Sequence, residues 1–79
     1  MKTISASALA TSMCNLNNRH FGKEFGSTEL TDLLKTHCGL KKAKEVLSEL
    51  ENHGVVAFLN TRKCQFTVAP TVDVIKNLL

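Results

Sequence analysis

The chain has 79 residues, of which 43% are hydrophobic and 22% charged, a composition typical of one folded domain. These figures exclude a second domain and a disordered tail, and a chain this short leaves little interior for a deep substrate cavity. Ten Lys and Arg against seven Asp and Glu give a net charge of +3, which permits a polyanionic partner without requiring one. We therefore expect a single domain over residues 1–79 that is not an enzyme.

The cysteines indicate the compartment in which the protein works. Cys14, Cys38 and Cys64 make an odd count and include no C-x-x-C pair. Small secreted domains use paired cysteines as disulfides, so this pattern predicts free thiols in a reducing cytoplasm. Serine and threonine interrupt the apolar run near residue 9, so we expect no secretion signal. No stretch approaches about 18 uninterrupted apolar residues, and no membrane contact is expected.

The first predicted element is a helix that begins after a cap at Thr3 or Ser5 and runs to about Asn17. Its apolar residues recur every three or four positions, as on one helix face: Ala6, Leu9, Met13 and Leu16. A connector follows over residues 21–26. We interpret its two aromatic residues, Phe21 and Phe25, as core anchors rather than as side chains that stack on bases.

Two more helices are predicted on either side of Gly39, a residue that suits a helix exit. The second helix is expected to begin with a cap at Ser27 or Thr28 and to end near His37. The third is expected from Leu40 or Lys41 to about residue 52. The spacing turns these residues inward: Leu30, Leu33, Leu34 and His37 in the second helix, and Ala43, Leu47 and Leu50 in the third, with Val46 at the edge.

After Gly54 the pattern becomes that of strands. Residues 55–59 and 64–68 are β-prone runs separated by residues 60–63, which predicts a hairpin in which Phe58 and Phe66 pair. Pro70 ends the second strand, and Thr71 caps a short closing helix. The residues of this helix that we expect to face the core or another subunit are Val72, Ile75, Leu78 and Leu79.

Residues 27–68 resemble the winged helix-turn-helix superfamily. The likeness is carried by Ser27-Thr-Glu-Leu-Thr-Asp-Leu-Leu, by Val46-Leu-Ser-Glu-Leu-Glu-Asn-His-Gly-Val-Val, and by the order of helices before the hairpin. It implies a mostly helical α+β fold with a three-helix core, a C-terminal β-hairpin wing and a short closing helix. It also implies that the third helix reads DNA. Leu47 and Leu50 lie two residues later than the apolar pair of phage repressors, which predicts a longer turn.

The predicted outward face of the third helix is basic at its start, and the hairpin turn adds two more cations. The candidate nucleic-acid-binding residues are Lys41, Lys42, Lys44, Glu45, Ser48, Arg62 and Lys63. Lysine and arginine can contact phosphate or guanine, whereas glutamate and serine can tune the choice of base. These residues predict a small DNA-binding transcription regulator of a prokaryote or phage. We expect its partner to be double-stranded DNA, and a homodimer through the N- and C-terminal helices is plausible.

Two other functions fit the same residues. Glu45, Glu49 and Glu51 follow the lysines, and mixed charges are typical of a solvated helix face, so a winged-helix protein–protein interaction module such as a phage-encoded inhibitor or adaptor is the alternative. A metal or thiol sensor at His37 and Cys38 is a third hypothesis. The spacing of the Cys and His residues matches no metal pattern, and we predict neither a metal nor a cofactor.

Overall fold

The structure is a computed structural model that describes residues 5–79. These residues form, in chain order, α1 (Ala6–Arg19), β1 (Phe25–Gly26), α2 (Ser27–Asn52), β2 (Val56–Phe58), β3 (Lys63–Phe66) and α3 (Val72–Leu78). The expected α+β class, mostly helical, is confirmed. No helix within residues 5–79 combines the length and the apolar character needed to cross a membrane.

α1 forms where the apolar spacing predicts a helix. The Ala8 N–H donates to the Ser5 side-chain oxygen at 3.2 Å, so Ser5 is the cap, whereas Thr3 lies outside the described residues. The helix buries Leu9, Ala10, Met13 and Leu16, and it continues to Arg19, two residues beyond the predicted end.

α2 contains a break at a single residue. Gly39 has φ +81° and ψ 164°, a backbone conformation that is essentially restricted to glycine. The break divides α2 into a first half (residues 27–38) and a second half (residues 40–52). The predicted boundary at Gly39 is confirmed, but the prediction of a longer turn is wrong.

The second half of α2 is rotated slightly from the predicted orientation. Ala43, Val46 and Leu50 are buried, whereas Leu47 is only partly buried. Val46 and Leu47 therefore exchange the roles that the sequence predicts for them. Spacing alone does not distinguish the two, because residues 43, 46 and 50 fit the helical period as well as residues 43, 47 and 50 do.

The three strands form an antiparallel sheet in the order β1-β3-β2. The register pairs Phe25 with Cys64 and Val56 with Phe66. β2 and β3 are the predicted hairpin, whereas β1 lies in the segment predicted as a connector. The Phe66 ring packs 5.4 Å from the ring of Phe25, so the prediction that it pairs with Phe58 is wrong.

The two aromatic residues of the connector have opposite environments. Phe25 is 1% exposed and also stacks on His20, with 5.5 Å between ring centroids. Phe21 is 86% exposed and has a positive φ of 57°. The interpretation of both as core anchors is therefore correct for Phe25 and wrong for Phe21.

α3 closes the fold by packing on α1 and on α2. The Val74 N–H donates to the Thr71 side-chain oxygen at 3.4 Å, so the predicted cap is confirmed. Ile75 is buried and Leu78 partly so, but Val72 and Leu79 are 44% and 46% exposed. The apolar stripe of α1 is thus covered by elements of the same chain.

Candidate nucleic-acid interface

The second half of α2 presents the five predicted helix residues to solvent. Lys41, Lys42, Lys44, Glu45 and Ser48 are all exposed, and they lie opposite the buried side of the helix; we call them the lysine face. Exposure follows from the helical period, since Ala43, Val46 and Leu50 occupy the other side. The lysine face therefore forms despite the small error in the predicted inward residues.

Charge on the lysine face is partly neutralised within the helix. The Lys42 Nζ lies 3.4 Å from a carboxylate oxygen of Glu45, a pair one turn apart. Within residues 5–79, Lys41 and Lys44 form no ion pair. These two lysines are therefore the free cations of the lysine face.

The hairpin tip (residues 59–63) is held by hydrogen bonds to the Asn60 side chain and by hydrogen bonds from Ser27 of α2. The Asn60 side-chain oxygen accepts the backbone N–H groups of Arg62 and Lys63 at 2.8 and 3.0 Å. The Ser27 N–H donates to the Arg62 carbonyl at 2.8 Å, and the Ser27 hydroxyl donates to the Thr61 carbonyl at 3.0 Å. The exposed Arg62 and Lys63 side chains thus project from an anchored loop.

This anchor corrects one sequence prediction. Gly26 is the residue that precedes α2, and it makes no side-chain cap hydrogen bond. Ser27 lies inside the helix and uses its hydroxyl for the hairpin tip, so the prediction that Ser27 or Thr28 caps the helix is wrong. No local pattern signals this contact, because its partner is far away in sequence.

The two basic groups lie at opposite ends of the first half of α2. The hairpin tip contacts Ser27, and the lysine face begins just after Gly39. At about 1.5 Å of rise per residue, these two residues are separated by about 18 Å of helix. These two points of the helix are therefore further apart than the width of a DNA major groove, which is about 12 Å.

In the second half of α2 the acidic residues follow the first two lysines, at Glu45, Glu49 and Glu51. Glu49 contacts His53 at 3.2 Å in the last turn, and Glu51 is exposed beside it. The first turn of the second half therefore carries only positive charge. A polyanion would approach this turn more closely than it would approach the helix end.

The three thiols are hydrogen-bonded or buried inside the fold. Cys14 and Cys38 donate to the carbonyls of Pro70 and Leu34 at 3.2 and 2.9 Å, and Cys64 is fully buried. Burial raises the pKa of the Cys38 thiol, while the charge of Lys42 lowers it. Within residues 5–79, no three His, Cys, Asp or Glu side chains converge on a position that could hold a metal ion.

Burial raises the pKa of the Cys64 thiol from 9.0 to about 11, and the negative charge of Glu29 adds to this rise. Between these values the folded chain keeps a proton that the unfolded chain has lost, so stability falls as the pH rises through this window. We expect Cys64 to contribute a loss of about 2–3 kcal/mol from pH 9 to 11. The free energy of unfolding, measured with urea at each pH, should therefore fall less from pH 9 to 11 for Cys64→Ala than for the original chain. The same pH dependence in both proteins would contradict the raised pKa of Cys64.

Comparison of the chain with protein-family models, with curated proteins and with solved structures gives no match. The fold and its surfaces define the class of protein: a small, mostly helical α+β domain with two exposed basic groups.

Proposed function

We propose that the chain is a small winged-helix DNA-binding protein that acts as a cytoplasmic transcription regulator of a prokaryote or phage. The second half of α2 would enter the major groove, and β2 and β3 would be the wing. The observation that carries the proposal is the pairing of an exposed lysine face with an anchored basic hairpin tip across the first half of α2. Binding would need no cofactor and no chemical step.

Each candidate residue has a role that its charge suggests. Lys41 and Lys44, which have no ion pair within residues 5–79, would contact phosphate or guanine. Arg62 and Lys63 would contact the phosphate backbone from the hairpin tip. Lys42 would add a further phosphate contact where its pair with Glu45 opens, and the carboxylate of Glu45 would then be free to accept from a cytosine amine. Ser48 would contact either kind of base.

A homodimer would present two reading helices to a symmetric site. The apolar faces of α1 and α3 are mostly covered within the chain, so a contact through these helices would rest on Val72 and Leu79. Sedimentation equilibrium of the purified protein and of Val72→Ser tests this part of the proposal. A monomeric mass over the concentration range used in the DNA assay would contradict it.

The DNA proposal is tested by fluorescence anisotropy with a mixed-sequence duplex at increasing salt, because release of counterions makes phosphate binding salt-dependent. We expect binding that weakens steeply with salt. Each phosphate contact removed should reduce the slope of log K against log salt by about 0.9, so the double variant Lys41→Ala, Lys44→Ala should reduce it by about 2.

Lys76→Ala is the matched control, because Lys76 is an exposed lysine on α3, outside both basic groups. It should leave both the affinity and the salt slope nearly unchanged. An effect of Lys76→Ala half as large as that of the double α2 variant would indicate binding through net charge alone, because Lys76→Ala removes one positive charge and the double variant removes two. The absence of binding at low salt would favour the interaction module, for which the 86% exposed Phe21 is a suitable contact residue.

A further inference from the structure

α1 and the first half of α2 line an open cleft that is separate from both basic groups. Two side-chain contacts join the helices: Ser12 Oγ lies 2.9 Å from His37 Nε2, and His20 Nε2 lies 2.8 Å from a carboxylate oxygen of Glu29. These contacts hold the two helices antiparallel. The cleft between them has a volume of about 460 Å³, within the range of about 300–1,000 Å³ that is usual for small-ligand sites.

The antiparallel register places opposite charges across one end of this α1–α2 cleft. Arg19 lines it from the last turn of α1, and Glu29 and Asp32 line it from the start of α2. Within residues 5–79, Arg19 forms no ion pair, and Asp32 reaches Lys35 only at 4.0 Å. A guanidinium and a carboxylate are therefore available to a ligand on opposite walls.

The rest of the α1–α2 cleft is neutral. Leu16 and Leu33 contribute apolar surface in the middle, and hydroxyl, amide and imidazole groups line the walls toward the Ser12–His37 end. This end offers hydrogen-bond donors and acceptors, but it carries no carboxylate and no guanidinium. A ligand that fits both ends is charged at one end and polar and uncharged at the other.

The charged end disfavours a ligand that carries only negative charge or only positive charge. A simple anion on Arg19 would face the carboxylates of Glu29 and Asp32, and a simple cation on Asp32 would face Arg19. A ligand with an ammonium and a carboxylate on one carbon can pair with Asp32 and with Arg19 at the same time. We infer that the α1–α2 cleft binds a free α-amino acid with a polar side chain, with its carboxylate on Arg19 and its ammonium on Asp32.

In this pose the amino-acid side chain lies over Leu16 and Leu33 and points toward Ser12 and His37. The cleft is open to water, which screens the ionic contacts, so we expect a Kd of about 1 mM, equivalent to about −4 kcal/mol. None of the candidate DNA-binding residues lines the cleft. The inference therefore goes beyond the DNA proposal and does not depend on it.

The test is titration of ¹⁵N-labelled protein with L-glutamine and with L-serine, followed by amide NMR without DNA. We expect saturable shifts in residues 12–19 and 29–37. N-acetyl-L-glutamine lacks the ammonium, and it should bind at least about tenfold more weakly, since about 1.4 kcal/mol corresponds to a factor of ten.

Arg19→Gln and Asp32→Asn should each weaken binding of the better amino acid at least about fivefold, a modest loss typical of exposed ionic contacts. Lys23→Gln is the matched control, because Lys23 is an exposed cation outside the cleft, and it should bind like the original chain. Circular dichroism shows that each variant is folded. The inference is overturned if neither amino acid gives saturable shifts by about 20 mM, well above the expected Kd. Equal binding of the N-acetyl compound, or an affinity unaffected by Arg19→Gln, also overturns it.

Discussion

Replacing Phe25 by alanine is expected to lower the free energy of unfolding by about 3–5 kcal/mol, because a large buried ring is lost and a cavity remains. The Phe25 side chain is 1% exposed and contacts the rings of Phe66 and His20. At about 0.05–0.15 kcal/mol per residue, a chain of this size has only about 4–12 kcal/mol of stability in total. The variant should therefore be largely unfolded at modest urea concentrations.

Phe21→Ala is the matched control for this substitution. Its ring is 86% exposed, so the same change should alter stability by less than about 0.5 kcal/mol. Alanine at φ +57° has much the same backbone cost as phenylalanine, so the comparison isolates the ring. The chain has no Trp or Tyr, and urea unfolding is best followed by circular dichroism. Similar losses for the two variants would contradict the packing described for Phe25.

Gly39→Ala is expected to lower the free energy of unfolding by about 1–3 kcal/mol. Gly39 has φ +81° and ψ 164°, a region that an L-residue with a Cβ avoids. Apart from the glycine itself and the adjoining backbone, no atom lies within 4 Å of the position that a Cβ would take, so the cost is one of backbone conformation. The urea midpoint should fall accordingly.

Gly26→Ala separates this backbone effect from glycine replacement in general. Gly26 has φ −67° and ψ 129°, and a Cβ would again meet no atom within 4 Å. Alanine restricts the unfolded chain, which favours folding, but it is a poorer N-cap residue than glycine. These opposed effects should leave stability within about 0.5 kcal/mol of the original. Equal stabilities of the two variants would show that Gly39 does not require its conformation.

The helices and the hairpin were predictable because their signals are local. Apolar spacing identifies α1 and both halves of α2, and the change of pattern after Gly54 identifies the hairpin. The outward position of the lysines is equally local, because it follows from the helical period. The buried face of the second half was not fixed by spacing, because residues 43, 46 and 50 and residues 43, 47 and 50 both fit the helical period, and only packing selects Val46 over Leu47.

The features that sequence reasoning missed depend on distant partners. β1 has only two residues, and Phe25 becomes a strand residue because Cys64 lies beside it. Ser27 has the composition of a cap, but its hydroxyl is used by the carbonyl of Thr61. Phe21 and Phe25 are the same residue type in the same connector, and only tertiary packing distinguishes them. The α1–α2 cleft likewise depends on the packing of two helices.

β3 is the last strand in the chain, and it is the strand that pairs with both of the others. While the chain is being synthesised, α1 and α2 can form early, but neither β1 nor β2 has a partner until about residue 66 has emerged. Pairing of β1 with β3 also closes a long loop, which slows folding. The ring of Phe25 therefore lacks its partner Phe66 on a nascent chain until β3 has emerged, and during this interval the chain is most exposed to aggregation or to capture by a chaperone.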